Sequence, residues 1–209
     1  MCHSATGDTD DGPRSDLKLD FVGGALGYRV RSGGGGANAL RRAVGFAAGK
    51  TPLIVDATAG LGRDGFLLAS MGARITLIER SPVVHAQLRD ALERARAAGP
   101  STAAIVERIT LLHGDAKALL PGLGAEVVLV DPMHPPRKGT ALVKNEMRVL
   151  RRLVGADPDA RELMLVALAS ATKRVVLKWP LHGEMLPDLP KPSHQILGKT
   201  TRFDVFMIG

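Results

Sequence analysis

Acidic residues that close short apolar runs are the first candidates for chemistry in this sequence. Leu53-Ile-Val55 ends on Asp56, passes a short spacer, Ala57-Thr-Ala59, and enters a turn built on Gly60 and Gly62. The run reads as a buried parallel strand, and the stretch Phe66 to Met71 as the helix after it. A strand, a glycine turn and a helix N-terminus place free backbone N–H groups over the strand end, where a nucleotide-like ligand can sit. Gly60, Gly62 and Gly65 also satisfy the G-x-G-x-x-G spacing of dinucleotide-binding folds, a spacing that tight turns meet without binding anything. Asp56 separates the readings, because an acid at the strand end suits a ligand with a cationic amino group and a sulfonium, as S-adenosylmethionine (SAM) has. The next apolar run, Arg74 to Ile78, stops at Glu79, at the distance of about 20 residues where an acid grips ribose hydroxyls. A third run, Ile109 to Leu112, leads through His113 and Gly114 to Asp115. That acid suits either an adenine amine or the cap of a helix expected over 116–120.

A fourth run, Glu126 to Val130, enters Asp131-Pro-Met-His-Pro-Pro136. Its prolines fix the backbone direction and remove N–H donors, leaving carbonyls and the Asp131 carboxylate as acceptors. An exocyclic base amine is a poor nucleophile, since its lone pair is delocalised into the ring. An enzyme that methylates it must hold the N–H groups with acceptors and align nitrogen with the methyl carbon. Asp131 and the Pro132 carbonyl suit that task; the plainer reading is that Asp131 caps a helix and the prolines shape a loop. His134 in the same turn can stack on a base, take the proton lost after methyl transfer, or face water.

The elements that must position these residues follow from recurring β-α units, which predict an α/β fold: a Rossmann-like, doubly wound, mainly parallel sheet. Ser81 is placed to cap a helix over 83–98 with Pro82 at its first position, and Gly99-Pro100 reads as its stop. Further helices are expected over 141–154 and 158–170, a fifth strand over 175–178, and an antiparallel C-terminal hairpin over 195–197 and 203–207. Upstream, residues 1–16 read as disordered and 17–22 as a short strand. The glycine-rich segment 23–36 carries Arg29 and Arg31, and reads equally as a flexible linker or as backbone that brings arginines to phosphate. A helix over 37–48 would complete the N-terminal part of one domain spanning 17–209. On the helix expected after the acceptor turn, Lys144, Arg148 and Arg152 share a basic stripe, either a solvated face or an RNA-backbone contact. Lys178 lies at the end of the fifth strand, near the expected substrate face.

Composition narrows the partners. A chain of 209 residues with 45% apolar content suits one packed domain, and its formal charge of +7 favours a polyanion such as nucleic acid. The single cysteine, Cys2, allows no intrachain disulfide, and the six histidines show no metal-ligand spacing, so no metal is expected. No apolar run is long enough for a bilayer, and the start lacks a basic region followed by an apolar one, which predicts a cytoplasmic protein with no membrane partner.

The blocks Asp20-Phe-Val-Gly-Gly24, Asp56-Ala-Thr-Ala-Gly-Leu-Gly-Arg-Asp64, Glu79-Arg80, Asp131-Pro-Met133, Ala141-Leu-Val-Lys144, Glu146-Met-Arg148, Ala171-Thr-Lys-Arg-Val-Val176 and Arg202-Phe-Asp204 resemble the RsmJ family. Those enzymes are class I SAM-dependent methyltransferases, and Asp131-Pro-Met-His134 is similar to the (Asp/Asn)-Pro-Pro-(aromatic) motif for exocyclic amines. The resemblance runs from Asp20 to the C-terminus and implies methylation of the N2 amine of a guanine in small-subunit (16S) ribosomal RNA. It also implies that Arg63 with Asp64, Glu79 with Arg80, Asp115 with Ala116, and Asp131 line the cofactor site. His134 departs from the phenylalanine expected in the close family, so base stacking would fall to a smaller ring. Two alternatives stay open: a methyltransferase for another exocyclic amine, in DNA or protein, and a nucleotide-binding Rossmann module without methyl transfer.

Overall fold

The computed structural model describes residues 19–32, 38–46, 52–133 and 157–209. Apolar runs form β1 (Leu53–Asp56), β2 (Arg74–Glu79), β3 (Ile109–His113), β4 (Val127–Val130) and β5 (Arg174–Pro180), followed by β6 (His194–Leu197) and β7 (Thr201–Met207). They make one seven-stranded sheet in the order β3-β2-β1-β4-β5-β7-β6. β1 to β5 pair in parallel, whereas β7 runs antiparallel between β5 and β6, so the expected C-terminal hairpin is present. The parallel part is buried on both faces, as its unbroken apolar runs require. Ile54, Leu77, Leu129 and Val176 face one core with Phe66, Leu67 and Leu68 of α3 (Arg63–Ser70) and Leu88 of α4 (Pro82–Ala97). The alternate residues Val55, Ile78, Val128 and Leu177 face a second core with Leu163 and Met164 of α7 (Ala160–Ser170).

Chain order places β2 and β3 on one side of β1 and β4 on the other. The carboxyl ends of β1 and β4 therefore flank the topological switch point, where open α/β sheets bind ligands. Asp56 and Asp131 meet there because both end strands of that pair.

The chain departs from the sequence reading at several points. Residues 21–23 form bends rather than a strand: Asp20 Oδ1 accepts the N–H groups of Val22 and Gly23, each at 2.9 Å, and turns the chain into α1 (Gly24–Arg31). The glycine-rich stretch is thus helical through Arg31, and Gly27 is glycine because a Cβ there would fall 1.9 Å from the Val22 carbonyl oxygen. Downstream, α2 is shorter than expected (Asn38–Ala43). Gly99-Pro100 does more than stop α4: Gly99 at φ 155° takes the chain out of it, and Pro100 opens α5 (Pro100–Val106) at its first position. The helix after β3 is a single turn, α6 (Ala116–Leu119), continued by a 3-10 turn at Leu120–Gly122. The helix expected over 141–154 lies outside the described residues.

Candidate active site

The turn after β1 is held from several sides. Ala57 N–H donates to the Leu129 carbonyl (2.9 Å) and Ala59 N–H to that of Ile78 (3.0 Å), while Asp56 Oδ1 accepts from Thr58 N–H at 3.1 Å. Gly60 and Gly62 both take positive φ, 49° and 65°, which fits glycine. A Cβ on Gly62 would lie 2.6 Å from Leu88, and one on Gly65 2.4 Å from Leu77, so these glycines let α3 pack closely. Gly60 instead faces ligand space, and its N–H donates to Glu79 Oε2 at 2.9 Å. Glu79 Oε1 accepts from Ser81 N–H at 2.7 Å. Burial raises the Glu79 pKa and the two N–H bonds oppose that shift, leaving a carboxylate fixed in place with lone pairs to offer a ligand.

Glu79 and Gly60 line a cleft over the carboxyl ends of the strands. Ile78, Ala116, Met133 and Leu163 supply apolar wall, Asp115 sits on the rim side, and Thr58 and Asp131 lie at the β1/β4 end. Asp115 Oδ1 caps α6 by accepting Lys117 N–H at 2.8 Å, and the residue also lines the cleft. This donor set fits SAM: a fixed acid for the ribose, apolar wall for the base, and carboxylates near the methionine end.

Asp157 and Asp159, just before α7, also line the cleft and were missed in the sequence. Arg80 pairs with both, and Lys117 pairs with Asp159, which lowers the Asp159 pKa. Asp157 Oδ2 accepts from Met133 N–H at 2.6 Å and so braces the turn that carries Asp131. The available signal was Arg80 itself, a cation at a strand end that needs an acid partner.

At the other end, Asp131 N–H donates to Thr58 Oγ1 at 2.7 Å, and Pro132 is buried behind it. Lys178, expected at RNA phosphate, instead faces inward: its Nζ donates to Asp131 Oδ2 at 2.7 Å and Asp64 Oδ2 at 2.6 Å. Burial works against its charge, but Asp131 and Asp64 outweigh burial and push its pKa above the usual lysine range. Arg31 is likewise turned to the protein, donating from Nη1 to the Val22 carbonyl at 2.8 Å, while Arg29 lies half-exposed on α1. Of the expected cofactor residues, Gly60, Glu79, Arg80, Asp115, Ala116 and Asp131 line the cleft; Asp56, Gly62, Arg63 and Asp64 do not. His134, Lys144, Arg148 and Arg152 lie outside the described residues. Among those described, no cluster of three or more metal-ligating side chains occurs, and no helix is long and apolar enough to cross a membrane.

Comparison with known proteins agrees with this geometry. The family model described as "Putative SAM-dependent methyltransferase" matches residues 6–208. Ribosomal RNA small subunit methyltransferase J of Agrobacterium fabrum is 65% identical over 190 residues, covering 91% of each chain. The protein of that name from Shewanella amazonensis is 48% identical over 200 residues, covering 95% of this chain and 80% of its own. The crystal structure of the SAM-dependent methyltransferase NGO1261 from Neisseria gonorrhoeae superposes with a TM-score of 0.72 at 39% identity, over 94% of this chain and 76% of that one. Fold, cleft and matches together define a SAM-dependent methyltransferase. The chain belongs to the ribosomal RNA small subunit methyltransferase J family.

Proposed function

We propose that the protein methylates the exocyclic N2 amine of a guanine in 16S ribosomal RNA of the small subunit, in the cytoplasm and without a metal. The names of its relatives support the RNA, and the resemblance at Asp131-Pro-Met133 supports the amine. The observation that carries the chemistry is the Asp131 carboxylate just past the carboxyl end of β4, paired with Lys178 on a residue whose backbone N–H donates to Thr58, and lining the cleft. The cofactor, when bound, supplies an electrophilic methyl group on a sulfonium. Glu79 holds its ribose, and Asp131 with the Pro132 carbonyl accepts the N–H groups of the guanine amine, directing the nitrogen lone pair at the methyl carbon. As the N–C bond forms and the C–S bond breaks, the amine loses a proton, which His134 is chemically suited to receive. Arg29, Lys144, Arg148 and Arg152 supply positive charge for the RNA backbone. Nucleoside mass spectrometry of 16S rRNA from cells with and without the gene tests the assignment. One N2-methylguanosine should disappear with the gene; an unchanged profile would refute it.

A further inference from the structure

The described residues place an internal cation where the sequence suggested a surface one. Lys178 sits on β5 one residue beyond Leu177, which pairs with Val130, so its side chain reaches across to the residue that follows β4. It lies on the sheet face shared by Val176 and Leu129, under the first turn of α3, and its side chain is only 25% exposed. There the ammonium bridges Asp131, on the acceptor turn, and Asp64, in the first turn of α3. Among the described residues Asp56, at the end of β1, also faces this cluster, while Phe203 lies beside Lys178 on β7. The remaining acid of β7 near this point, Asp204, is paired with Arg202 and neighbours Leu177 instead.

We infer that Lys178 is a positioning residue for methyl transfer: by bridging Asp64 and Asp131, it fixes the acceptor carboxylate against the glycine-turn helix in the orientation that receives the base amine. The inference rests on the proposed function for its reaction, but not for its geometry. A carboxylate with one oxygen tied to a fixed ammonium cannot swing about its side-chain torsions, and misplacement of an acceptor by an ångström is enough to slow a reaction by about 10²-fold. The ammonium also balances the charge of acids that would otherwise repel one another and take up protons more readily.

The test uses the full chain with Lys178→Met, Lys178→Arg and Asp64→Asn, each first shown by circular dichroism to be folded. In single-turnover transfer to 16S rRNA at saturating SAM and RNA, Lys178→Met should slow the reaction by about 10–100-fold. The acidic limb of its pH profile should move upward, RNA affinity should stay unchanged, and Lys178→Arg should recover part of the rate. Weakened RNA binding with a normal saturated rate would overturn the inference in favour of a phosphate contact. A lower melting temperature with an unmoved pH profile would reduce Lys178 to a structural brace and also overturn it. Carbon-13 NMR of the Asp131 carboxyl, assigned with Asp131→Asn, provides a readout independent of substrate and cofactor. Its titration should move to higher pH in Lys178→Met, and to lower pH in Asp64→Asn, which removes a repelling charge while keeping the ammonium; an unmoved titration in Lys178→Met sinks the inference. If the wild-type protein fails to methylate 16S rRNA, the substrate assignment falls, while the NMR titration still decides the role of Lys178.

Discussion

Glu79 shows how one side chain joins sequence, fold and ligand. It ends β2, its two oxygens hold Gly60 and Ser81, and it lines the cleft. On the proposed function Glu79 holds the ribose, so Glu79→Ala should remove hydrogen bonds worth about 1.5–3 kcal/mol when charge-assisted, and SAM affinity measured by titration calorimetry should fall ten-fold or more. An unchanged dissociation constant would remove Glu79 from the site. Asp56 behaves differently, because it stands behind the cleft rather than in it. Burial pushes its pKa up to about 7, with the Thr58 N–H opposing and the charges of Asp64 and Asp131 adding to the rise. The folded-state pKa then lies above the unfolded value near 4, so between about pH 4 and pH 7 the folded chain keeps a proton that the unfolded chain has released. Asp56 therefore favours folding least at high pH, and its contribution is lost as pH rises through that window. Asp56→Asn keeps an acceptor for Thr58 and carries no charge. Relative to wild type, its stability in urea should rise from pH 5 to pH 8, and parallel stability curves would contradict the burial argument.

Among the elements, α1 records where sequence reading failed. Glycines 23, 24 and 27 look like linker residues in a string, yet the absence of a side chain at Gly27 lets the helix pass close to the Val22 carbonyl. Gly27→Ala forces a Cβ against a backbone atom that cannot turn aside, and should cost about 1–3 kcal/mol in denaturant unfolding. Gly122→Ala, where a Cβ meets nothing within 4 Å, should stay within about 0.5 kcal/mol of wild type. Equal effects at the two positions would mean that α1 does not pack as described. The strands were legible because a parallel sheet buried on both faces demands continuous apolar runs, and β1 to β4 begin and end within about a residue of the expected positions. Hidden from the sequence was pairing between distant charges: Lys178 meets Asp64 across 114 residues, and Arg80 meets Asp157 across 77. Periodicity reports which face a residue occupies, and it says nothing about which partner the fold brings to it.

At the scale of the whole molecule, the strand order explains why the site was largely readable before its partners were. Reversal of winding at β1 and β4 opens a cleft over the sheet with Asp56 behind it, and the acids that close or follow β2, β3 and β4, namely Glu79, Asp115 and Asp131, line it. The same logic missed Asp157 and Asp159, since they precede a helix instead of following a strand. The chain's net charge of +7 suits a polyanionic substrate that delivers one base to these acids. The proposed reaction has this cleft move a methyl group from SAM to a guanine amine aligned by Asp131. Its most direct test is single-turnover transfer of a labelled methyl group to 16S rRNA by wild-type protein and Asp131→Ala, followed by nucleoside analysis. The label should appear in N2-methylguanosine, and the variant, still folded, should transfer it ~10²–10³-fold more slowly. Label in another nucleoside, or transfer by Asp131→Ala at the wild-type rate, would contradict the account.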